Sequence, residues 1–141
     1  MFARFSLRLM LVGITLLSIV ACQPKEQIGI PADMNGNPYR VVSVAELQTM
    51  LDTKDFTMIN VHTPWEGDIL QTDMRLAYDQ IEQSVDQLPA EKNAKILVYC
   101  LTSGMAKKAV ATLLSQGYIN IWMLEGGTTA WVEAGLTLEK E

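Results

Sequence analysis

The feature that most constrains this chain is the character of its apolar runs. Phe56 to Val61 (FTMINV), Ile96 to Tyr99 (ILVY) and Ile119 to Leu124 (INIWML) are short, uncharged and apolar on both faces. A strand with one face in water alternates, whereas a strand apolar on both faces must be covered on each side. Helical patterns fall between these runs. Ser43 and Glu46 form an S-x-x-E capping box before Val44, Leu47 and Leu51, which mark one helix face. Ala106, Ala109, Val110, Leu113 and Leu114 follow the i, i+3, i+4, i+7, i+8 rule, and Gly117 supplies a C-terminal stop. A further helix is expected within Ala77 to Leu88, ended by Pro89, and a last short one follows the Gly126-Gly127 turn and carries Trp131 as a core residue. With a short strand at Tyr39 to Val42, the alternation predicts an α/β fold: one domain with a central, mainly parallel sheet and helices on both faces.

The first residues read as a targeting segment. Met1 to Arg8 carries Arg4 and Arg8 and no acid, and Leu9 to Val20 is then almost uninterrupted apolar sequence. This run of about a dozen residues is too short for a membrane-spanning helix, which needs about 20, but it suits an export signal. It closes on Ile19-Val20-Ala21-Cys22, which resembles the lipobox of bacterial lipoproteins. That resemblance implies lipidation of Cys22, removal of residues 1–21 and a periplasmic protein tied to the membrane. In the lipoproteins that this segment resembles, an acid after the cysteine often signals inner-membrane retention, so with Gln23 there the resemblance favours the outer membrane. Residues 22–38, rich in proline and glycine, are expected to form a tether, and 39–141 the domain.

The segment from Cys22 onward is the length of one domain. Loss of Arg4 and Arg8 leaves 9 of the 11 basic residues against 16 acidic ones, a charge of −7. No basic cluster offers a surface that tracks phosphates, so nucleic acid is not an expected partner. With Cys22 lipidated, Cys100 is the one remaining thiol, so no intramolecular disulfide forms. His62 is the only histidine, and no cluster of metal ligands exists; neither a metal nor a cofactor is implied.

Cys100 stands where ligands bind in open α/β sheets, beyond the carboxyl end of a strand and just before a helix. Unpaired N–H groups and the dipole at a helix start favour an anion there, either a thiolate or a persulfide. Thr102, Ser103 and Gly104 suit such a loop, two by their hydroxyls and one by its backbone freedom. A buried, unreactive cysteine at a strand end fits these features equally well.

Three stretches in order, MINVHTPWEGDI, ILVYCLTSGMAKKAVATLLSQGY and INIWMLEGGTTAW, make the chain from Val41 onward similar to the rhodanese-like family. The resemblance implies a sulfurtransferase in which Cys100 is the nucleophile. Its thiolate takes sulfane sulfur from a small donor and yields it to a nucleophilic acceptor. Leu101, Thr102, Ser103, Gly104, Met105 and Ala106 map onto the loop whose N–H groups surround the sulfur. The sequence departs from the family at several positions. Many relatives carry arginine where Leu101 and Met105 stand, and Ser103 replaces the usual loop glycine. Asn60 and His62 occupy the places of an early Asp and Arg. Each lost charge-assisted bond to a dianion such as thiosulfate is worth about 1.5–3 kcal/mol, so a persulfide or polysulfide is the expected donor. Lys107 and Lys108, past the loop, are candidates to compensate; His62 is an accessory candidate; Trp65 and Glu66 sit in a loop that can rim the pocket. Glu125-Gly126-Gly127 reads as turn chemistry.

Two related chemistries are excluded. Cysteine phosphatases of related fold grip phosphate with an arginine six residues after the nucleophile, where this chain has Ala106. Disulfide exchange needs a resolving cysteine, and no C-x-x-C is present. Two functions remain: a sulfur carrier and transferase, or an interaction module that has kept the fold without the loop cations and recruits a protein partner.

Overall fold

The computed structural model describes residues 27–140. The expected signal segment (1–21) and lipidation site Cys22 lie outside them. Six strands form one sheet: β1 (Ile30–Met34), β2 (Asn37–Val42), β3 (Thr57–Asn60), β4 (Met74–Arg75), β5 (Ile96–Tyr99) and β6 (Ile121–Leu124), in the order β1-β2-β6-β5-β3-β4. All neighbours are parallel except β1 and β2. Three helices complete the fold: α1 (Val44–Asp52), α2 (Gly104–Ser115) and α3 (Gly127–Glu133).

The uniformly apolar runs become the inner strands for the reason their composition gives. Every residue of β5 is fully buried. Ile96, Val98 and Cys100 pack with Ala106, Ala109, Val110 and Leu113 of α2 on one face. Leu97 and Tyr99 pack with Leu47 and Met50 of α1 and Trp131 of α3 on the other. Each such aliphatic side chain contributes about 1.5–3 kcal/mol by leaving water. Helices therefore cover both faces, and the carboxyl ends of β3, β5 and β6 emerge together. The capping box of α1 is formed: Glu46 N–H donates to Ser43 Oγ (3.3 Å) and Ser43 N–H donates to Glu46 Oε2 (2.8 Å).

Two expected elements differ. The stretch Ala77 to Leu88 forms no α-helix, only a kinked 3₁₀ segment over Glu82–Gln87 with Ser84 out of helical geometry. Its bonds run three residues back, as in Ser84 N–H to Ile81 O and Leu88 N–H to Val85 O. Ser84, Val85 and Asp86 are weak helix formers, and only Ile81 and Leu88 are buried to hold the segment down. Within the stretch expected to be a tether, 22–38, a β-hairpin begins at Ile30 and runs on to Val42, so the sheet starts ahead of Tyr39. Asn35 and Gly36 turn it with φ of 56° and 83°, the pair of positive angles that a two-residue hairpin turn demands. Arg40 holds the preceding residues by donating to Ile28 O and Gly29 O.

Candidate functional site

The site begins where β5 runs out. Cys100 follows Tyr99 and is 1% exposed, and α2 starts at Gly104. The Ala106 N–H donates to Cys100 Sγ at 3.4 Å. The sulfur thus sits against the first turn of α2, whose N–H groups have no partner within the helix and whose dipole favours negative charge. Lys107 N–H to Ser103 O (2.9 Å) is the first bond of the helix.

The loop between is held from outside by the chain that follows β6. Thr128 N–H donates to Cys100 O and Thr129 N–H to Leu101 O, both at 2.9 Å. Ser103, at the N-cap position, leaves the helix uncapped. Its hydroxyl accepts from Gly126 N–H (3.0 Å) and donates to Glu125 Oε1 (3.2 Å). Gly127, with φ of +56°, lies so close that a Cβ there would stand 2.1 Å from Cys100 O and 2.6 Å from Thr102 O. Glu125-Gly126-Gly127, read from sequence as a turn, is therefore also the clamp of the cysteine loop. The signal for it was the Glu-Gly-Gly directly after a buried strand, but nothing in the sequence says which loop such a turn will touch.

Cys100, Leu101, Thr102, Gly104 and Met105 line a cavity of about 320 Å³. His62 enters its wall from the loop after β3, and Lys108 from α2. Ser103 gives its side chain to the clamp instead, and Ala106 contributes its N–H. Of the two lysines, Lys107 does not reach the cavity. Lys108 does, being four residues after Gly104 and so on the same helix face; its Nζ lies 5.2 Å from the centre of the Tyr78 ring.

The loop after β3 is organised by side chains. Asn60 Oδ1 accepts from His62 N–H (3.0 Å), and Asn60 Nδ2 donates to Gly67 O (3.0 Å) and Asp68 Oδ1 (2.8 Å). Arg75 Nε donates to Asp68 Oδ2 (2.6 Å), and the guanidinium lies 3.8 Å from the centre of the Trp65 ring. Burial alone would raise the Asp68 carboxyl, but the bonds from Asn60 and Arg75 prevail and hold it below its ordinary value. Tyr99 ties this network to β5: its hydroxyl accepts from Ile69 N–H (3.0 Å), and burial raises its pKa well above the ordinary value. The C-terminal tail closes the loop through a two-way backbone pairing of Asp68 with Glu139. Nearer the cavity, His62 Nε2 meets Glu66 Oε2 at 2.8 Å. Trp65 is turned to Arg75 and does not line the cavity. The Asp68–Arg75–Tyr99 network escaped sequence reasoning, because its members are scattered along the chain.

The model of the rhodanese-like domain matches residues 43–134. The chain belongs to the rhodanese-like family. This rhodanese-like domain is 30% identical over 97 residues to a sulfurtransferase of Allochromatium vinosum, covering 64% of this chain and 85% of that protein. A tRNA uridine(34) hydroxylase of Erwinia tasmaniensis is 29% identical over 92 residues, and the chain spans only 26% of that protein's length. Among solved structures, a rhodanese-related protein from Thermoplasma volcanium superposes with a TM-score of 0.62 at 27% identity, over 73% of this chain and all (100%) of that one. The fold expected from the apolar runs and the family expected from the three stretches are both found.

Proposed function

We propose that this rhodanese-like domain is a sulfurtransferase that carries sulfane sulfur as a persulfide on Cys100, anchored in the periplasm by lipid on Cys22, with outer-membrane sorting favoured by Gln23. The observation that carries the reading is the placement of Cys100 Sγ, which accepts the Ala106 N–H at the start of α2 and opens into the lined cavity. A persulfide puts its charge on the outer sulfur, one bond beyond Sγ and still beside the N–H groups of that first turn. Sulfur transfer to a neighbouring acceptor then breaks the same S–S bond and leaves Cys100 as it began.

A persulfide or polysulfide fits as donor better than thiosulfate. The loop side chains at the cavity are Leu101, Thr102 and Met105, and the one lysine there, Lys108, stands on the helix. A thiosulfate dianion in such a site forgoes charge-assisted bonds worth about 1.5–3 kcal/mol each. A less charged donor gives up less and gains from the apolar walls.

The test is the mass of the full chain, purified in detergent, after exposure to polysulfide or to thiosulfate. Wild type is expected to gain sulfur from polysulfide, to lose it to cyanide and to load from thiosulfate at least about tenfold more slowly, which is about 1.4 kcal/mol. Cys100→Ser is expected to gain none. No adduct from either donor would leave the domain as an interaction module that has retained the fold. In cells, Cys22→Ala is expected to abolish palmitate labelling; labelling that persists would sink the anchor.

A further inference from the structure

The sulfur-carrier reading needs the proton of the Cys100 thiol to be taken up and then delivered to the departing donor, and the cysteine loop offers no side chain for either step. The loop after β3 does. His62 lines the same cavity as Cys100. Its side chain is 11% exposed and its Nε2 is 2.8 Å from the Glu66 carboxylate, itself 56% exposed at the surface. Its other nitrogen, Nδ1, is buried and has no hydrogen-bond partner. A carboxylate on Nε2 places the proton of the neutral ring there, so Nδ1 carries a lone pair. Asn60 fixes the backbone of His62 from below through the His62 N–H. Among the described cavity-lining residues and hydrogen-bond partners of the ring, the groups that bear charge or titrate are Glu66 on its own loop, Cys100 after β5 and Lys108 on α2. Asp68, the next acid along, is committed to Asn60 and Arg75.

The geometry points to His62, oriented by Glu66, as the general base and acid of sulfur transfer at Cys100. This role rests on the sulfur-carrier reading and assigns its proton. With a persulfide donor R–S–SH, Nδ1 accepts the thiol proton as Sγ attacks the outer sulfur. The Sγ–S bond forms and the donor's S–S bond breaks, with its electron pair leaving on R–S⁻. The imidazolium then returns the proton to that thiolate. The sum is Cys100–SH plus R–S–SH giving Cys100–S–SH plus R–SH, with no external oxidant or reductant. Glu66 stabilises the imidazolium between the two half-steps, as an oriented carboxylate does behind a histidine base.

The experiment compares single-turnover loading of Cys100 by glutathione persulfide in wild type, His62→Gln and Glu66→Gln, using the full chain in detergent from pH 6 to 9. The ratio of variant to wild-type rate at each pH cancels the ionisation of the donor. His62→Gln is expected to be slower by about 10²-fold near pH 7, and the deficit is expected to shrink toward pH 9, where hydroxide can take the proton in place of the imidazole. Glu66→Gln keeps the hydrogen-bond geometry and is expected to show a deficit of about tenfold with the same trend. A variant-to-wild-type ratio that is near one, or reduced but flat across pH, overturns the proton role of His62 while wild type still loads. Should His62→Gln unfold, Glu66→Gln alone decides by the same criterion. Failure of wild type to load at all would instead overturn the sulfur-carrier reading.

Discussion

The two loops that meet at the cavity build their halves of it by opposite means. After β5, Cys100 to Ser103 works through the backbone: an N–H on the sulfur, carbonyls engaged by Thr128 and Thr129, and a glycine packed where no side chain fits. After β3, residues 60–75 work through side chains: Asn60, Asp68 and Arg75 fix the path, and His62, bonded to Glu66, enters the cavity wall. A backbone cradle depends on chain conformation and so tolerates Leu101 and Met105 in positions where many relatives carry arginine. A side-chain network depends on residue identity, and there a single change of charge is felt. In the function proposed above, anion holding and proton handling are thereby divided between the two loops.

The contrast is broken hardest at Gly127. Alanine there would place Cβ 2.1 Å from Cys100 O at a φ of +56°, so either α3 or the cysteine loop must move. Gly127→Ala is expected to cost about 3 kcal/mol or more in urea unfolding and to abolish sulfur loading even in molecules that remain folded. If this variant loads normally, the backbone of the β5 loop is not what holds the sulfur.

The side-chain half is sharpened by Asp68→Asn. It removes the charge that receives Arg75 and sets an amide against Asn60, and it is expected to cost about 2 kcal/mol at pH 7. Because the folded carboxyl titrates below its ordinary value of 3.8, the ionised form is the one that folding favours. Its contribution is whole above about pH 4 and is lost as pH falls through the folded value. Wild type and Asp68→Asn are therefore expected to converge in stability on acidification. Stability curves that stay parallel down to pH 3 would show that the carboxylate charge is not what Asp68 contributes.

How much of this was legible in the sequence follows the same division. The inner strands could be read because burial on both faces leaves a composition that few other environments produce, whereas Cys100 at a strand end before a helix start was equally consistent with an anion cradle and with a buried, unreactive thiol. The His62–Glu66 contact is only four residues long in sequence, yet its meaning depends on β3 lying beside β5, which periodicity does not state. Asp68, Arg75 and Tyr99 are separated along the chain and gave no local pattern at all. The hairpin of β1 and β2 was legible in principle, since Asn35-Gly36 is a strong turn signal, but the surrounding prolines favoured a tether. The stretch before Pro89 failed for the converse reason: Ile81, Val85 and Leu88 have helical spacing, while Ser84 and Asp86 weaken the helix they would have to complete.

Ser103 is the one loop residue whose side chain, rather than backbone, joins the clamp, and it offers the finest separation of the two mechanisms. Ser103→Ala removes the acceptor for Gly126 N–H and the donor to Glu125. Both partners lie near the surface, where water replaces the lost bonds, so the expected cost is about 1 kcal/mol. Three backbone bonds on the loop, donated by Lys107, Thr128 and Thr129, and the Ala106 N–H donated to Cys100 Sγ stay in place. Loading of Cys100 is accordingly expected to slow by less than about threefold, with its pH dependence unchanged, since no proton passes through this hydroxyl. A loss as large as that of His62→Gln would instead place the serine hydroxyl in the chemistry and merge the two halves of the site into one.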